Sequence, residues 1–258
     1  MLNKKLEVKQ LIETLTEGLN NKIETYTKYN QPINILSDSD VEVLHACLHD
    51  TYCGGSGGSG WDTVDNGESK SSSHIQSKFC SNCHTKLSFF VVSCYNCGNK
   101  NFKASKVQKS TEKTNPRDAR WGISSTAHIK HFEDLKEYRL LLQEPETDNP
   151  GCRKFRLRYW TIDKNSEHLN GLAEAQNSQK SKGINFQPLK KDFYLSGPVL
   201  KFDGWLTVDA DNTIMEFDVF DLSNTTPETI PGKYKGLSSK EIIENKKYGK
   251  ARGLTTRG

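Results

Sequence analysis

The chain has 258 residues, with 34% hydrophobic residues, 26% charged residues and a net charge of +4. This length suits one large domain or two small ones, and the low apolar share favours long polar loops or a surface built for a polar partner. The longest apolar run, 87–92, is too short to span a membrane, and the amino terminus lacks the apolar core of a signal peptide. We therefore expect a cytoplasmic protein without membrane association, whose seven cysteines are reduced or bound to metal.

The first third of the chain predicts two helical segments and a hairpin. Apolar residues recur with a helical period over 4–29, and Pro32 ends that stretch. A second helix should begin within 37–40, where Asp38 or Ser39 can cap it, and run until the glycine run at 54–60. Its apolar side would carry Val41, Leu44 and Leu48. Residues 60–72 follow as a predicted hairpin.

The rest of the chain alternates between strand-like and helix-like patterns without a strict strand–helix repeat. The pattern predicts helices at 132–142, 166–176 and 238–246, and strands at 120–124, 155–163, 192–195, 205–208 and 215–222. Such a mixture favours one mixed β-sheet flanked by α-helices, an α/β fold.

Four cysteines form two Cys-x-x-Cys knuckles, Cys80–Cys83 and Cys94–Cys97, with ten residues between them. Each knuckle presents two thiolates to one ion, and two knuckles complete the tetrahedral shell that Zn²⁺ prefers. The apolar stretch 86–92 would form the ribbon between them, and Gly98 permits a tight turn after the second pair. Because four thiolates close the shell, we predict a structural zinc. Cys47 is placed in the second helix, and Cys53 and Cys152 receive no role.

Residues 62–70 predict a second, catalytic metal site. Glu68 and Lys70 share one face of a strand, because side chains alternate along it. If the hairpin loop is Asp65-Asn66-Gly67, with Gly67 at positive φ, Val64 faces Glu68 and Asp62 joins the same face. Two carboxylates can hold Mg²⁺, and the neighbouring lysine can orient the attacking water in phosphodiester hydrolysis.

Asp62…Glu68-Ser-Lys70 resembles the motif of the PD-(D/E)XK nuclease superfamily, although Trp61 stands where the family name has Pro. The glycines and Trp61 before it, and the serines, cysteine knuckles and Asp118-Ala-Arg-Trp-Gly-Ile after it, are similar to MamI-like type II restriction endonucleases over roughly residues 50–145. The resemblance implies a restriction-endonuclease-like core with an inserted zinc ribbon, and Mg²⁺-dependent cleavage of double-stranded DNA at a short sequence by a homodimer. The catalytic residues would be Asp62, Glu68 and Lys70.

Further residues near this motif are candidates for contacts. The loop 54–60, with Gly57 and Gly58, would approach DNA through its backbone N–H groups. Ser71, Ser72 and Ser73 would donate hydrogen bonds to phosphates. By the resemblance, Glu42 on the preceding helix would add a third metal ligand, whereas Asp65 would have a structural role in the turn.

Two basic segments favour a phosphate-rich partner. Residues 99–120 carry seven Lys or Arg against two acidic residues, and residues 231–258 carry eight against two. The expected organisation is residues 1–78 as amino-terminal helices and catalytic hairpin, 79–102 as zinc ribbon, and 103–258 as the rest of the core with a basic tail. Two other functions stay open: a phage or repair endonuclease that recognises DNA structure, and a non-catalytic zinc-ribbon protein that binds nucleic acid or a protein partner.

Overall fold

The fold is described from a computed structural model of the chain. It describes residues 2–54, 61–73, 75, 77–104, 121–123, 134–145, 151, 153–166, 184–186, 193, 196–208 and 213–219. Within these ranges, every helix is too short or too polar to pass through a lipid bilayer.

Three helices open the chain: α1 (Leu2–Leu15), α2 (Leu19–Lys28) and α3 (Asp38–Leu48). The predicted single helix over 4–29 is divided, because Gly18 takes a left-handed conformation with φ 69°. The cap of α3 is Ser37 rather than the predicted Asp38 or Ser39. Its side chain accepts from the Asp40 N–H while Asp40 accepts from the Ser37 N–H, a reciprocal capping box.

Ten strands follow: β1 (Gly67–Ser73), β2 (Lys78–Cys80), β3 (Lys86–Leu87), β4 (Phe102–Ala104), β5 (Trp121–Ile123), β6 (Glu137–Pro145), β7 (Lys154–Asp163), β8 (Ile184–Phe186), β9 (Val199–Val208) and β10 (Thr213–Val219). The main sheet has the order β1-β6-β7-β9-β10. Only its β1–β6 pair is parallel, so the predicted mixed sheet of an α/β protein is confirmed.

The helices cover one face of the main sheet and bury its apolar side chains. Val41, Leu44 and Leu48 of α3 are buried as predicted. They belong to one cluster with residues of α1, α2 and the sheet, among them Ile12, Ile23, Leu141, Phe155, Leu157, Phe202 and Leu206. Trp160 and Phe193 are buried in edge-to-face contact, with ring centroids 5.2 Å apart. The sheet is therefore a rigid support for side chains on α3 and β1.

The cysteine knuckles belong to a separate three-stranded sheet of order β3-β2-β4, here called the ribbon. The prediction that 86–92 is ribbon strand is correct only for Lys86 and Leu87. The chain then leaves the ribbon, and Phe90 packs against Phe155 with ring centroids 5.9 Å apart. Asn30, just after α2, also contacts this segment: its amide donates to the Lys86 carbonyl and accepts from the Ser88 N–H. The ribbon is thus fixed to the main core.

Two predicted elements are wrong. Residues 60–72 do not form a hairpin, because β1 pairs in parallel with β6, Gly67 opposite Glu137, and the positive φ belongs to Asn66 (63°) instead of Gly67. The predicted helix at 132–142 is a strand from Glu137 onward. Its run of apolar residues is buried on both faces of the sheet, a situation in which helical and strand patterns look alike.

Four other predicted strands are confirmed, and a fifth is not. β5, β7, β9 and β10 contain or overlap the predicted strands at 120–124, 155–163, 205–208 and 215–222. The predicted strand at 192–195 is described only at Phe193, which is helical. The predicted helix at 238–246 and nearly all of that at 166–176 lie outside the described residues, as do 105–120 and 231–258 of the two basic segments.

Candidate active site and metal centre

The amino-terminal end of β1 is anchored by a buried ion pair. The Arg139 side chain on β6 is fully buried, and its guanidinium donates to both Asp65 carboxylate oxygens, at 3.0 and 2.5 Å. Burial alone would raise the pKa of Asp65, but hydrogen bonds from Arg139 and Thr63 outweigh it and hold the pKa well below its usual value. A Cβ on Gly67 would lie 2.4 Å from the guanidinium carbon, so only glycine fits there. The predicted structural placement of Asp65 in a turn is confirmed.

A short antiparallel contact, in place of the expected hairpin, places Asp62 beside β1. Cys53 and Thr63 form a β-bridge, and the Gly54 N–H donates to the Asp62 carbonyl at 2.8 Å. A Cβ on Gly54 would stand 2.2 Å from the Trp61 carbonyl oxygen, so this close approach requires glycine. The Asp62 carboxylate then accepts a 2.6 Å hydrogen bond from the Ser69 N–H. Gly54 and Trp61, at the two ends of the glycine run, therefore lie close together next to the candidate site.

Glu68 and Lys70 lie on one face of β1, as predicted. The Lys70 ammonium contacts the Glu68 carboxylate, which is only 2% exposed, whereas the lysine side chain is 25% exposed. Asp62 is bound to the backbone of the residue between them. The three predicted catalytic residues are thus brought together, although by a different route from the predicted register.

Glu42 on α3 shares the electrostatic environment of these three residues. Burial raises the pKa of Glu42, the carboxylates of Asp62, Asp38 and Glu68 raise it further, and Lys70 opposes them. Part of this shift therefore comes from the neighbouring carboxylates, which lie within electrostatic reach of Glu42. The helix preceding the glycine run therefore does bring a third carboxylate to the candidate site.

His45 of α3 and His49, the residue that follows the helix, hold α3 against the sheet behind this site. His45 is fully buried, its Nδ1 lies 2.8 Å from Ser69 Oγ, and its ring stacks on Tyr159. His49 contacts the Tyr159 hydroxyl and lies 3.2 Å from Glu137. Burial, and next the Arg139 charge, lowers the pKa of His49 to about 3, and burial lowers the pKa of His45 well below its usual value. Both rings are therefore neutral near pH 7.

The carboxylates of Asp62, Glu68 and Glu42 are hard oxygen donors of the kind that Mg²⁺ prefers. Glu42 lies within electrostatic reach of Asp62 and Glu68. In the part of the chain that the structure describes, only the cysteine cluster brings three or more possible ligand atoms within 4.8 Å of one another. The acidic residues therefore fit an ion held by one or two carboxylates and several waters, which is how proteins usually bind Mg²⁺.

The expected phosphate-binding residues differ in their surroundings. Ser71 Oγ accepts from the Gln143 side chain at 2.9 Å, and Ser73 Oγ accepts from the Ile75 N–H. Ser72 is buried, with 8% of its surface exposed. Gly57 and Gly58 lie outside the described residues. The three hydroxyls therefore already take part in the fold, and their role toward DNA stays a prediction.

The four knuckle cysteines converge as the sequence predicts. All four Sγ atoms lie within 4.8 Å of one another, with 3.5 Å between Cys80 and Cys97 and between Cys83 and Cys94. Thiolates at 2.3 Å from a tetrahedral zinc would be about 3.8 Å apart, whereas disulfide sulfurs are about 2.05 Å apart. Gly98 has the positive φ, 71°, expected after the second knuckle. The cluster is thus shaped to bind a metal ion such as zinc.

The sequence analysis missed the buried polar residues behind the candidate site: Arg139, Glu137, His45 and His49. The available signal was their position, since Arg139 interrupts an apolar run and the histidines recur four residues apart on the apolar side of α3.

Comparisons of the chain with models of known protein families, with curated proteins and with solved structures return no match.

Proposed function

We propose that this protein is a Mg²⁺-dependent nuclease of the PD-(D/E)XK superfamily, a type II restriction endonuclease that cleaves double-stranded DNA at a short sequence. The supporting observation is that the Asp62 carboxylate binds the backbone of β1 between Glu68 and Lys70, within electrostatic reach of Glu42 on α3. The mixed sheet behind them is consistent with a restriction-endonuclease-like core. By the resemblance, the enzyme acts as a homodimer with a structural zinc in each ribbon.

Each residue of the proposed site has a distinct task. Asp62 and Glu68 would hold the Mg²⁺, with Glu42 as a further acidic ligand, directly or through water. A bound Mg²⁺ supplies Lewis-acid polarisation of the scissile phosphate and lowers the pKa of a coordinated water. Lys70, whose ammonium contacts Glu68, would orient the attacking water and offset the negative charge that develops on the phosphate.

The four-cysteine cluster favours one alternative from another class. A zinc ribbon can serve a protein that binds nucleic acid without cutting it. A nuclease specific for DNA structure is the alternative within enzymes, because the same acidic site would serve it. These functions predict different cleavage products from a plasmid, so a cleavage assay decides between them.

The test is incubation of the zinc-loaded protein with a plasmid and Mg²⁺. A restriction endonuclease gives discrete fragments, a structure-specific nuclease gives cuts only at branched DNA, and a binding protein leaves the plasmid intact. We expect Asp62→Ala, Glu68→Gln and Lys70→Met each to reduce the cleavage rate by about 10³-fold, because ligands and oriented water act as a unit.

Glu17→Gln is the matched control, since Glu17 is an exposed carboxylate on the turn between α1 and α2. It should cleave at the wild-type rate. Circular dichroism of each variant separates loss of folding from loss of chemistry. Wild-type rates in folded Asp62→Ala and Lys70→Met proteins would show that the active site lies elsewhere.

A further inference from the structure

The outer face of the ribbon carries a row of one aromatic and two basic side chains. Phe79 on the central strand β2 lies opposite Lys86 on β3 and opposite Lys103 on β4. Directly opposed residues of an antiparallel ladder project from the same face, so the three side chains form one row, here called the outer row. Lys86 and Lys103 are exposed and Phe79 is half-buried.

The inner face of the ribbon packs around the cysteine cluster. Cys80 and Leu87 are buried there, together with Val91 and Cys94, in a small cluster of their own. The Lys78 ammonium donates to the Phe89 and Val91 carbonyl oxygens and lies 4.0 Å from the Phe102 ring centroid. The metal cluster and its packing thus do not involve the outer row. The fold of the ribbon therefore does not require one aromatic and two basic side chains there.

The ribbon is also uniformly basic. Residues 78–104 contain four lysines, and no aspartate or glutamate occurs between Glu68 and Glu112. Among the described residues, no carboxylate forms an ion pair with Lys86 or Lys103. Four thiolates on one Zn²⁺ would contribute a net charge of −2, which still leaves the ribbon positive. The row is therefore complementary to a polyanion.

The outer row lies close enough to the candidate active site for one DNA duplex to contact both. β1 leads into β2 through four residues, and the chain from Lys70 to Phe79 spans at most about 30 Å even when fully extended. One turn of B-DNA is about 34 Å long. A duplex with its scissile phosphate at Lys70 therefore lies within reach of the row, and the contacts from Asn30 and Phe90 fix the ribbon in place.

We propose that the outer row is a second DNA-binding site, which holds the sugar–phosphate backbone of the duplex beside the cut. Lys86 and Lys103 bind phosphates, and the Phe79 ring packs against deoxyribose between them. The two lysines stand on strands about 10 Å apart, a span between the widths of the minor groove, about 6 Å, and the major groove, about 12 Å. This inference rests on duplex DNA being the substrate proposed above, but it does not depend on catalysis.

The experiment measures binding of the full-length, zinc-loaded protein to a 30-base-pair duplex (roughly three helical turns) without Mg²⁺, by fluorescence anisotropy at several salt concentrations. Lys86→Gln and Lys103→Gln should each weaken binding by about 10-fold at 0.1 M salt and lower the salt slope by about one, through loss of one phosphate contact. Phe79→Ala should weaken binding without changing the slope, because the ring carries no charge.

Two controls accompany these variants. Lys22→Gln removes an exposed lysine from α2 and should leave affinity and slope unchanged, and Lys86→Arg keeps the charge and should keep the slope. Zinc content is measured for every protein, and alanine replaces glutamine at the same position in any variant that loses zinc, because it removes the same charge.

The outcomes separate the two proposals. Wild-type protein that binds DNA through the row but never cleaves it overturns the proposed enzymatic function alone. Cleavage with salt slopes that are the same in wild type, Lys86→Gln and Lys103→Gln overturns the outer row alone. Protein that neither binds nor cleaves DNA overturns both.

Discussion

The ribbon and the candidate active site are held together by different physical means. In the ribbon, four thiol groups converge around a point suited to one metal ion, and the buried apolar cluster beside them is small. The candidate site instead depends on ion pairs and neutral histidines buried between α3, β1 and β6. The ribbon should therefore respond to metal removal and the candidate site to changes of charge and pH.

The largest expected effect is on the ribbon. Binding of a structural zinc contributes about 10 kcal/mol to the folding of small zinc domains. Removal of the metal with a chelator, or Cys94→Ser, should therefore unfold residues 78–104 while the main sheet persists. Hydrogen–deuterium exchange measured by mass spectrometry checks this region by region.

Cys53→Ser is the matched control, because Cys53 is an exposed thiol outside the cluster. It should retain one zinc per chain and the wild-type exchange pattern. Full zinc content and unchanged exchange in Cys94→Ser would show that the four cysteines do not hold the ribbon together.

An intermediate effect is expected from Asp65→Asn. This variant leaves the fully buried Arg139 guanidinium without its main counter-charge, and breaking a buried pair from one side costs about 3 kcal/mol. Urea unfolding at pH 7 measures the decrease in the free energy of unfolding. Because the pKa of Asp65 is lowered in the fold, the stabilisation is present above the unfolded pKa of about 3.9 and is lost as the pH falls below it.

The difference between wild type and Asp65→Asn should therefore shrink below about pH 4. Asp50→Asn is a suitable comparison, since the Asp50 side chain is 77% exposed and should change stability by less than about 1 kcal/mol. Equal stabilities of wild type and Asp65→Asn at pH 7 would show that Arg139 does not need this partner.

Near neutral pH, the smallest effect is a pH dependence caused by His45 and His49. Both have a lowered pKa in the fold, so the unfolded chain binds protons below about pH 6.5 while the folded chain does not. Stability is therefore complete above pH 6.5 and should fall by up to about 1.4 kcal/mol per pH unit for each histidine toward pH 5. His49→Gln should halve the slope, and a flat profile from pH 7.5 to 5 would contradict the neutral histidines.

The same comparison explains how much the sequence could predict. The cysteine cluster was predictable because its ligands lie in two local motifs whose spacing already fixes the geometry of each knuckle. α3 was predictable from its apolar side, but its cap is one or two residues earlier than predicted, since Ser37, Asp38, Ser39 and Asp40 are all capable of accepting from backbone N–H groups.

The candidate site was only half predictable. The shared face of Glu68 and Lys70 follows from strand alternation, but the position of Asp62 depends on contacts distant in the sequence. The turn at 63–66 is bound by Arg139 more than 70 residues later, and β1 pairs with β6 instead of with 61–64. No local pattern contains that information, so the hairpin was the simplest local solution and was wrong.

The parallel pairing of β1 with β6 also has a consequence for the order of folding. The two strands are separated by 63 residues, and 27 of these belong to the ribbon. If the ribbon folds first around its metal, its ends come together and the remaining loop is shortened, which lowers the entropic cost of closing it by about 0.5 kcal/mol. Zinc should then accelerate sheet assembly about two-fold in stopped-flow refolding, so an ion bound in the ribbon would influence how quickly the candidate active site forms.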